Sequence, residues 1–351
     1  MRQAQGGRPE LFRAVTGACI FGCAGPRLGD EETAFFRDVD PWGFILFGRN
    51  VETPDQVRAL VDGLRSAVGR PDAPILIDQE GGRVQRLGPP HWRRYPPAAA
   101  YADLADEARW EFVRLGARLI AHDLAALGIN VDCAPVLDVP APGAHDIIGD
   151  RAYGQSAGEV AAMGRAAADG LMAGAVLPVI KHIPGHGRAT ADSHLGLPIV
   201  EASWTDLEER DFAPFRALAD LPLAMTAHVV FAAVDADRPA TTSPAVIERV
   251  IRGAIGFDGL LITDDLSMRA LSGNLSQRAR DALGAGCDVV LHCNGDLAEM
   301  RAVADGAAPL TQRAAARAAS ALARLPSAPE PFDVDDARRR LDAALGDRWA
   351  A

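Results

Sequence analysis

Eight short apolar runs, set between stretches with helical spacing, constrain this 351-residue chain more than any other feature. They span residues 15–20, 43–47, 75–77, 130–133, 176–180, 223–227, 260–263 and 289–291. Runs this short, bounded by turn residues, predict buried strands rather than helices. Between most of them, residues 58–68, 107–127, 160–173, 204–218, 245–254 and 277–285 carry apolar side chains three and four apart, the spacing of an amphipathic helix. Gly128, Gly174 and Gly286 stand where a left-handed residue would stop a helix.

Strand-then-helix alternation implies a parallel sheet, closed or open. The polar residues at the strand ends favour the closed form. Asp78, Asp132, Lys181 with His182, His228, Asp264 and His292 each end or follow an apolar run. In a barrel, such ends converge on one face, where active sites form; in an open sheet they would be strung along an edge. The expected fold is therefore α/β, a single-domain (β/α)8 TIM barrel over residues 1–310. Residues 311–351 are expected to form a C-terminal helical extension packed on the barrel. Here 311–325 is Ala/Arg-rich and helical in pattern, 326–331 is a proline-containing link, and 335–345 is a short charged helix.

A hydrophobic content of 48% supports a large core. The net charge of −11 and the lack of any dense Lys/Arg cluster argue against nucleic acid and anionic membranes as partners. The five cysteines are odd in number and none are spaced C-x-x-C, which suits small core residues in a reducing compartment. The N-terminus lacks the apolar stretch of a signal peptide. No apolar run approaches the ~20 residues needed to cross a bilayer. We expect a cytoplasmic, monomeric enzyme with a small-molecule substrate.

The densest chemistry lies at Lys181 to His194, KHIPGHGRATADSH, with three histidines, an aspartate and two glycines directly after an apolar run. A strand opening into such a loop suits proton transfer near neutral pH. Asp192 and His194, two apart, share a face of an extended segment, so Asp192 can orient the His194 ring. In ITDDLSM, Asp264 directly follows a strand and is the candidate nucleophile or electrostatic stabiliser, while Asp265 caps or braces. In IDQEGGRVQR, Asp78, Arg83 and Arg86 suit sugar hydroxyls or an anion. IIGDRAYG carries Arg151. Each motif also has a structural reading: a turn aspartate, a helix cap, an ion pair internal to a loop. His182, His186, Asp192 and His194 are zinc-type ligands, but their spacing fits no common zinc motif, and no metal is expected.

Taken together, KHIPGHG with DSH, DQEGGRVQR and TDDLSM resemble glycoside hydrolase family 3, in particular its bacterial single-domain β-N-acetylglucosaminidases of muropeptide recycling. The resemblance runs from about Val15 to Asn294. It implies Asp264 as nucleophile and His194 as general acid/base with Asp192 as its partner. It also implies that Asp78, Arg86, Arg151, Lys181 and His182 bind the N-acetylglucosamine unit, with no metal or organic cofactor. Ile183 stands where many members carry Phe, and Arg188 and Ala189 fall in a variable part of the loop.

Chemistry points the same way. Retaining glycosidases need a nucleophile and a proton donor on the two sides of the scissile bond. The histidine loop offers no clear second carboxylate beyond Asp192, and the Asp192–His194 pair can fill the donor role, as the resemblance implies. A long, glycine-containing loop suits closure over bound substrate. The expected activity is retaining exo-β-N-acetylglucosaminidase, acting on GlcNAc-anhydroMurNAc muropeptides through a glycosyl–Asp264 intermediate. Two alternatives remain: a phosphorylase using the same Asp/His machinery, and a non-catalytic sugar-binding barrel.

Overall fold

A computed structural model describes residues 16–189, 193 and 196–346, with only the backbone at 106 and 107. Eight parallel strands close into a barrel: β1 (Gly17–Gly22), β2 (Pro41–Leu46), β3 (Ile75–Ile77), β4 (Val131–Asp132), β5 (Leu177–Ile183), β6 (Leu223–Thr226), β7 (Leu260–Asp265) and β8 (Val289–His292). The closed order is β1-β8-β7-β6-β5-β4-β3-β2, so β3 and β7 face each other across the barrel. Every strand expected from the sequence is present. The barrel interior is packed rather than hollow. Leu260 and Ile262 of β7 point into a core with Ile20, Trp42, Leu76 and Leu177, while Leu261 joins the outer core under the helices. This is the alternation a strand imposes.

Helices α1 (Asp30–Val39), α2 (Pro54–Val68), α3 (Asp106–Ala125) and α4 (Ala157–Ala173) follow the first four strands. Next come α5 (residues 204–217), α6 (Val246–Ala254), α7 (Leu275–Ala285) and α8 (Leu297–Gly306). Of these eight helices, α1 and α8 are not among the helical segments expected from the sequence. In α5 a wide π-helical turn over Leu207–Asp211 interrupts the α-helical spacing, and α6 is π-helical throughout. Gly286 ends α7 in the left-handed conformation, and Gly128 has φ 78°. Gly174 differs from expectation: its φ is −91°, and the left-handed residue is Ala175, one position later.

Two further helices, α9 (Gln312–Leu322) and α10 (Val334–Leu345), follow among the described residues. Ala318 and Ala321 of α9 belong to the barrel-interior cluster, so this helix seals the barrel at the end opposite the polar strand termini. Small side chains there let the helix approach closely. Helix α10 lies against α3, and its Asp342 pairs with Arg93 at 2.5 Å.

Candidate active site

The C-terminal strand ends form a cavity of ≈ 340 Å³. It is lined by Asp78, Arg86, Arg151, Lys181, His182 and Asp264, along with Glu80, Phe47 and Met268. Six residues singled out from the sequence are thus brought together. The other two, Asp192 and His194, lie outside the described residues.

One wall is a continuous chain of ion pairs. Arg86 Nη2 lies 3.1 Å from Asp78, whose other oxygen is 2.8 Å from Lys181 Nζ. Lys181 Nζ is also 2.7 Å from Glu80 Oε1. Glu80 in turn receives a two-pronged contact from Arg151, 2.8 Å at both Nε and Nη2. Burial alone would push the Asp78 and Glu80 carboxyls up, but the flanking cations outweigh it. Lys181 and Arg86 hold Asp78 far below the usual carboxylate range, and Lys181 and Arg151 hold Glu80 at about 2. Lys181 is only 2% exposed; burial would lower it, yet Asp78 and Glu80 raise it above an ordinary lysine. Buried ion pairs seldom add net stability, because desolvation consumes the Coulombic gain. What this chain supplies is fixed geometry: Lys181 keeps a third proton, and Asp78 keeps lone pairs, for a ligand hydroxyl.

Asp264 stands opposite, near the end of β7. Its Oδ1 accepts the Asp265 amide at 2.8 Å, and among the described residues no donor engages Oδ2. Burial would raise this carboxyl; His182, His228, the Asp265 amide and Lys181 together hold it below its ordinary value. Asp265 also lines the cavity, but both of its carboxylate oxygens are engaged in bracing the next turn, accepting from the Ser267 amide at 3.0 Å, the Cys293 amide at 3.2 Å and the Ser267 hydroxyl.

Three histidines are held by specific partners. His182 Nδ1 lies 2.7 Å from Asp138, which also accepts the amides of His182 (3.3 Å) and His186 (2.7 Å). His228 is fully buried, and burial lowers its pKa against the pull of Asp264. The neutral ring donates from Nε2 to the Asp265 carbonyl (3.0 Å) and accepts at Nδ1 from Thr241 (2.7 Å). It thereby anchors the Asp265–Leu266 peptide, the unit next along the chain from the one whose N–H bonds Asp264. His186 is pushed down to about 4, first by burial and then by His182; its Nε2 lies 3.1 Å from the Ser193 hydroxyl. Among the described residues, no cluster of three or more His, Cys, Asp or Glu is arranged to hold a metal ion.

Two participants escaped the sequence reading. Glu80 sits two residues after Asp78, and that i, i+2 spacing was the available signal. Asp138 is a lone acid in the otherwise apolar stretch Ala134–Val139, fully buried, and such an acid requires partners.

Residues 26–325 match the Glycosyl hydrolase family 3 N terminal domain. The chain belongs to glycoside hydrolase family 3. It is therefore a glycoside hydrolase with a TIM barrel. A beta-hexosaminidase of Methylococcus capsulatus is 42% identical over 279 residues, covering 78% of this chain and 82% of the relative. The structure of NagZ from Neisseria gonorrhoeae in complex with N-trifluoroacetyl-D-glucosamine superposes with a TM-score of 0.80 at 31% identity, over 94% of this chain and 96% of that one. A family 3 β-N-acetylglucosaminidase from Paenibacillus gives 0.81 at 31% identity, over 93% of this chain and 66% of that one.

Proposed function

We propose that this family 3 hydrolase is a retaining exo-β-N-acetylglucosaminidase. It would release non-reducing terminal N-acetylglucosamine from peptidoglycan-derived muropeptides, with Asp264 forming the covalent glycosyl intermediate. The observation that carries the reading is the placement of an ionised Asp264, its Oδ2 without a donor among the described residues, directly across the barrel from the Arg86–Asp78–Lys181–Glu80–Arg151 chain. A pyranose between them meets a nucleophile at one end and hydroxyl-binding groups at the other. The names of the relatives support the N-acetylhexosamine class.

In the first step, the Asp264 Oδ2 lone pair attacks the anomeric carbon as the glycosidic bond breaks, and His194 delivers its proton to the leaving oxygen. In the second, the neutral His194 takes a proton from water as the water displaces Asp264. Asp192 orients the ring. Free, mostly buried cysteines suit a reducing cytoplasm, and among the described residues no helix is long and apolar enough to cross a membrane.

The test is hydrolysis of a nitrophenyl β-N-acetylglucosaminide, with intact-protein mass spectrometry of a trapped intermediate. The wild type should turn over, and Asp264→Ala should neither turn over nor carry a sugar adduct. His194→Ala should accumulate the adduct on Asp264, since a nitrophenolate leaving group needs little protonation whereas the second step still needs a base, typically worth ~10²–10⁴-fold. Labelling at Asp265 would overturn the assignment of the nucleophile. Phosphate-accelerated release of sugar-1-phosphate would make the enzyme a phosphorylase.

A further inference from the structure

The candidate active-site cavity backs onto a second cavity of ≈ 450 Å³, and Arg86 lines both. Neighbouring residues split between the two. Phe47 faces the first and Gly48 the second; Arg83 and Val84 face the first, Gly82 and Gln85 the second. At Arg86 the partition is one side chain thick. Its guanidinium is tied to Asp78 at 3.1 Å and sits 5.3 Å from the centre of the Phe47 ring. Arg49 lies 5.0 Å from the same ring and is itself anchored on the Cys23 carbonyl at 2.9 Å and on the Cys293 carbonyl. The stack is therefore pinned on both sides.

The direction of the bound sugar follows from the barrel order. Asp264 is on β7, and Asp78, with Arg86 paired to it, follows β3, the strand diametrically opposite. In a pyranose, C4 lies across the ring from C1. With C1 at Asp264, the C4 hydroxyl points at Asp78 and Arg86.

We infer that Arg86, stacked on Phe47, is the wall that confines this enzyme to chain ends: it stops the pocket beyond the C4 hydroxyl and shuts off a cavity large enough for a further 4-linked sugar. The inference rests on Asp264 being the nucleophile. The shut-off cavity has the lining a sugar needs, with the partly exposed aromatic ring of Trp92 beside the polar Gln85 and Glu52.

The test compares a nitrophenyl β-N-acetylglucosaminide with its 4-O-methyl derivative in the wild type, Arg86→Ala and Phe47→Ala. The readout is the capped-to-uncapped ratio of kcat/KM, which cancels general damage to the site. Dissociation constants of the two corresponding thioglycosides give the same ratio in a variant that no longer turns over. The wild type should reject the cap about 10–100-fold, as for a methyl group forced against a packed wall. In either variant the ratio should rise at least about tenfold as the two cavities join. A wild type that takes both glycosides equally, or variants that keep the wild-type ratio in binding, would overturn the wall while leaving the exo-glucosaminidase reading standing. A wild type that neither hydrolyses the uncapped glycoside nor binds its thioglycoside would overturn both.

Discussion

Nδ1 of His182 lies 2.7 Å from the carboxylate of Asp138, a residue with no exposed surface. Burial would raise the Asp138 carboxyl, yet His182 outweighs this and keeps it ionised. The ring must therefore present its Nδ1 proton to Asp138, leaving Nε2 for the cavity. In Asp138→Asn the side-chain oxygen can still accept the amides of His182 and His186, but its NH2 group opposes the ring N–H. The ring then changes tautomer or turns. Hydrogen bonds to charged groups are worth ~1.5–3 kcal/mol, so folding stability should fall by about that much, and the misplaced ring should lower kcat/KM about 10–100-fold. Ring 15N shifts should report the changed tautomer; an unaltered His182 spectrum would count against the argument.

Glu80 supplies a stability test with a defined pH window. Its carboxyl is held at about 2 in the fold, below its unfolded value of 4.5. The unfolded state therefore binds more protons in this range, and stability from Glu80 is present above pH 4.5 and lost as pH falls through about 2. Glu80→Gln leaves Lys181 with Asp78 alone and breaks the two-pronged contact from Arg151. Breaking a buried pair typically costs ~3–5 kcal/mol. Urea titrations should show that loss at pH 7 and a shrinking difference from the wild type toward pH 2.

Asp132 has the opposite sign. Burial pushes its carboxyl up to about 7, against the Gln79 amide at 3.0 Å, and its Oδ2 has no partner among the described residues. Because the folded value lies above the unfolded 3.8, the fold is penalised progressively as pH rises from 3.8 to about 7. Asp132→Asn removes that titration. An unpartnered amide sets some constant offset, but the stability difference, mutant minus wild type, should climb by on the order of 1–4 kcal/mol between pH 4 and pH 8. A pH-independent difference would show that Asp132 is ionised throughout.

The barrel was legible because its signal repeats: each of eight runs is weak, but alternation and polar strand ends act together. Strand limits were less legible. β5 runs on to Ile183, so Lys181 and His182 belong to the strand rather than to the loop they seem to open. The π-helical turns of α5 and α6 left no mark, since apolar spacing there still fits an α-helix. At the site, residues written as loop motifs were readable. Glu80 and Asp138 were not, because their importance arises from partners far along the chain: Lys181 and Arg151 for one, His182 and His186 for the other. The same holds for His228, visible as a strand-end histidine, whose link to Asp264 runs through a backbone carbonyl.

Gly187 provides the last prediction. A Cβ built there would lie 2.0 Å from the Val139 carbonyl oxygen and 2.4 Å from its carbon, both backbone atoms that cannot swing aside. The contact closes the stem of the histidine loop: the Gly187 carbonyl accepts the Ala141 amide at 2.9 Å, and the Ala189 carbonyl accepts the His145 amide at 2.8 Å. Gly187→Ala must push the two segments apart, with overpacking of this kind costing ~1–3 kcal/mol of stability. The chain leaving this stem carries residues 192 and 194, to which we assign proton transfer, while the Asp264 side of the barrel is untouched. Displacement of about 1 Å at a reacting group can cost ~10²-fold. With a nitrophenyl glycoside, attack by Asp264 should continue and water attack should slow. Stopped-flow traces should then show a burst of nitrophenol followed by a steady state reduced by about 10²-fold, with the sugar retained on Asp264. A variant with a normal steady-state rate and no burst would show that the close approach at Gly187 does not govern the second step.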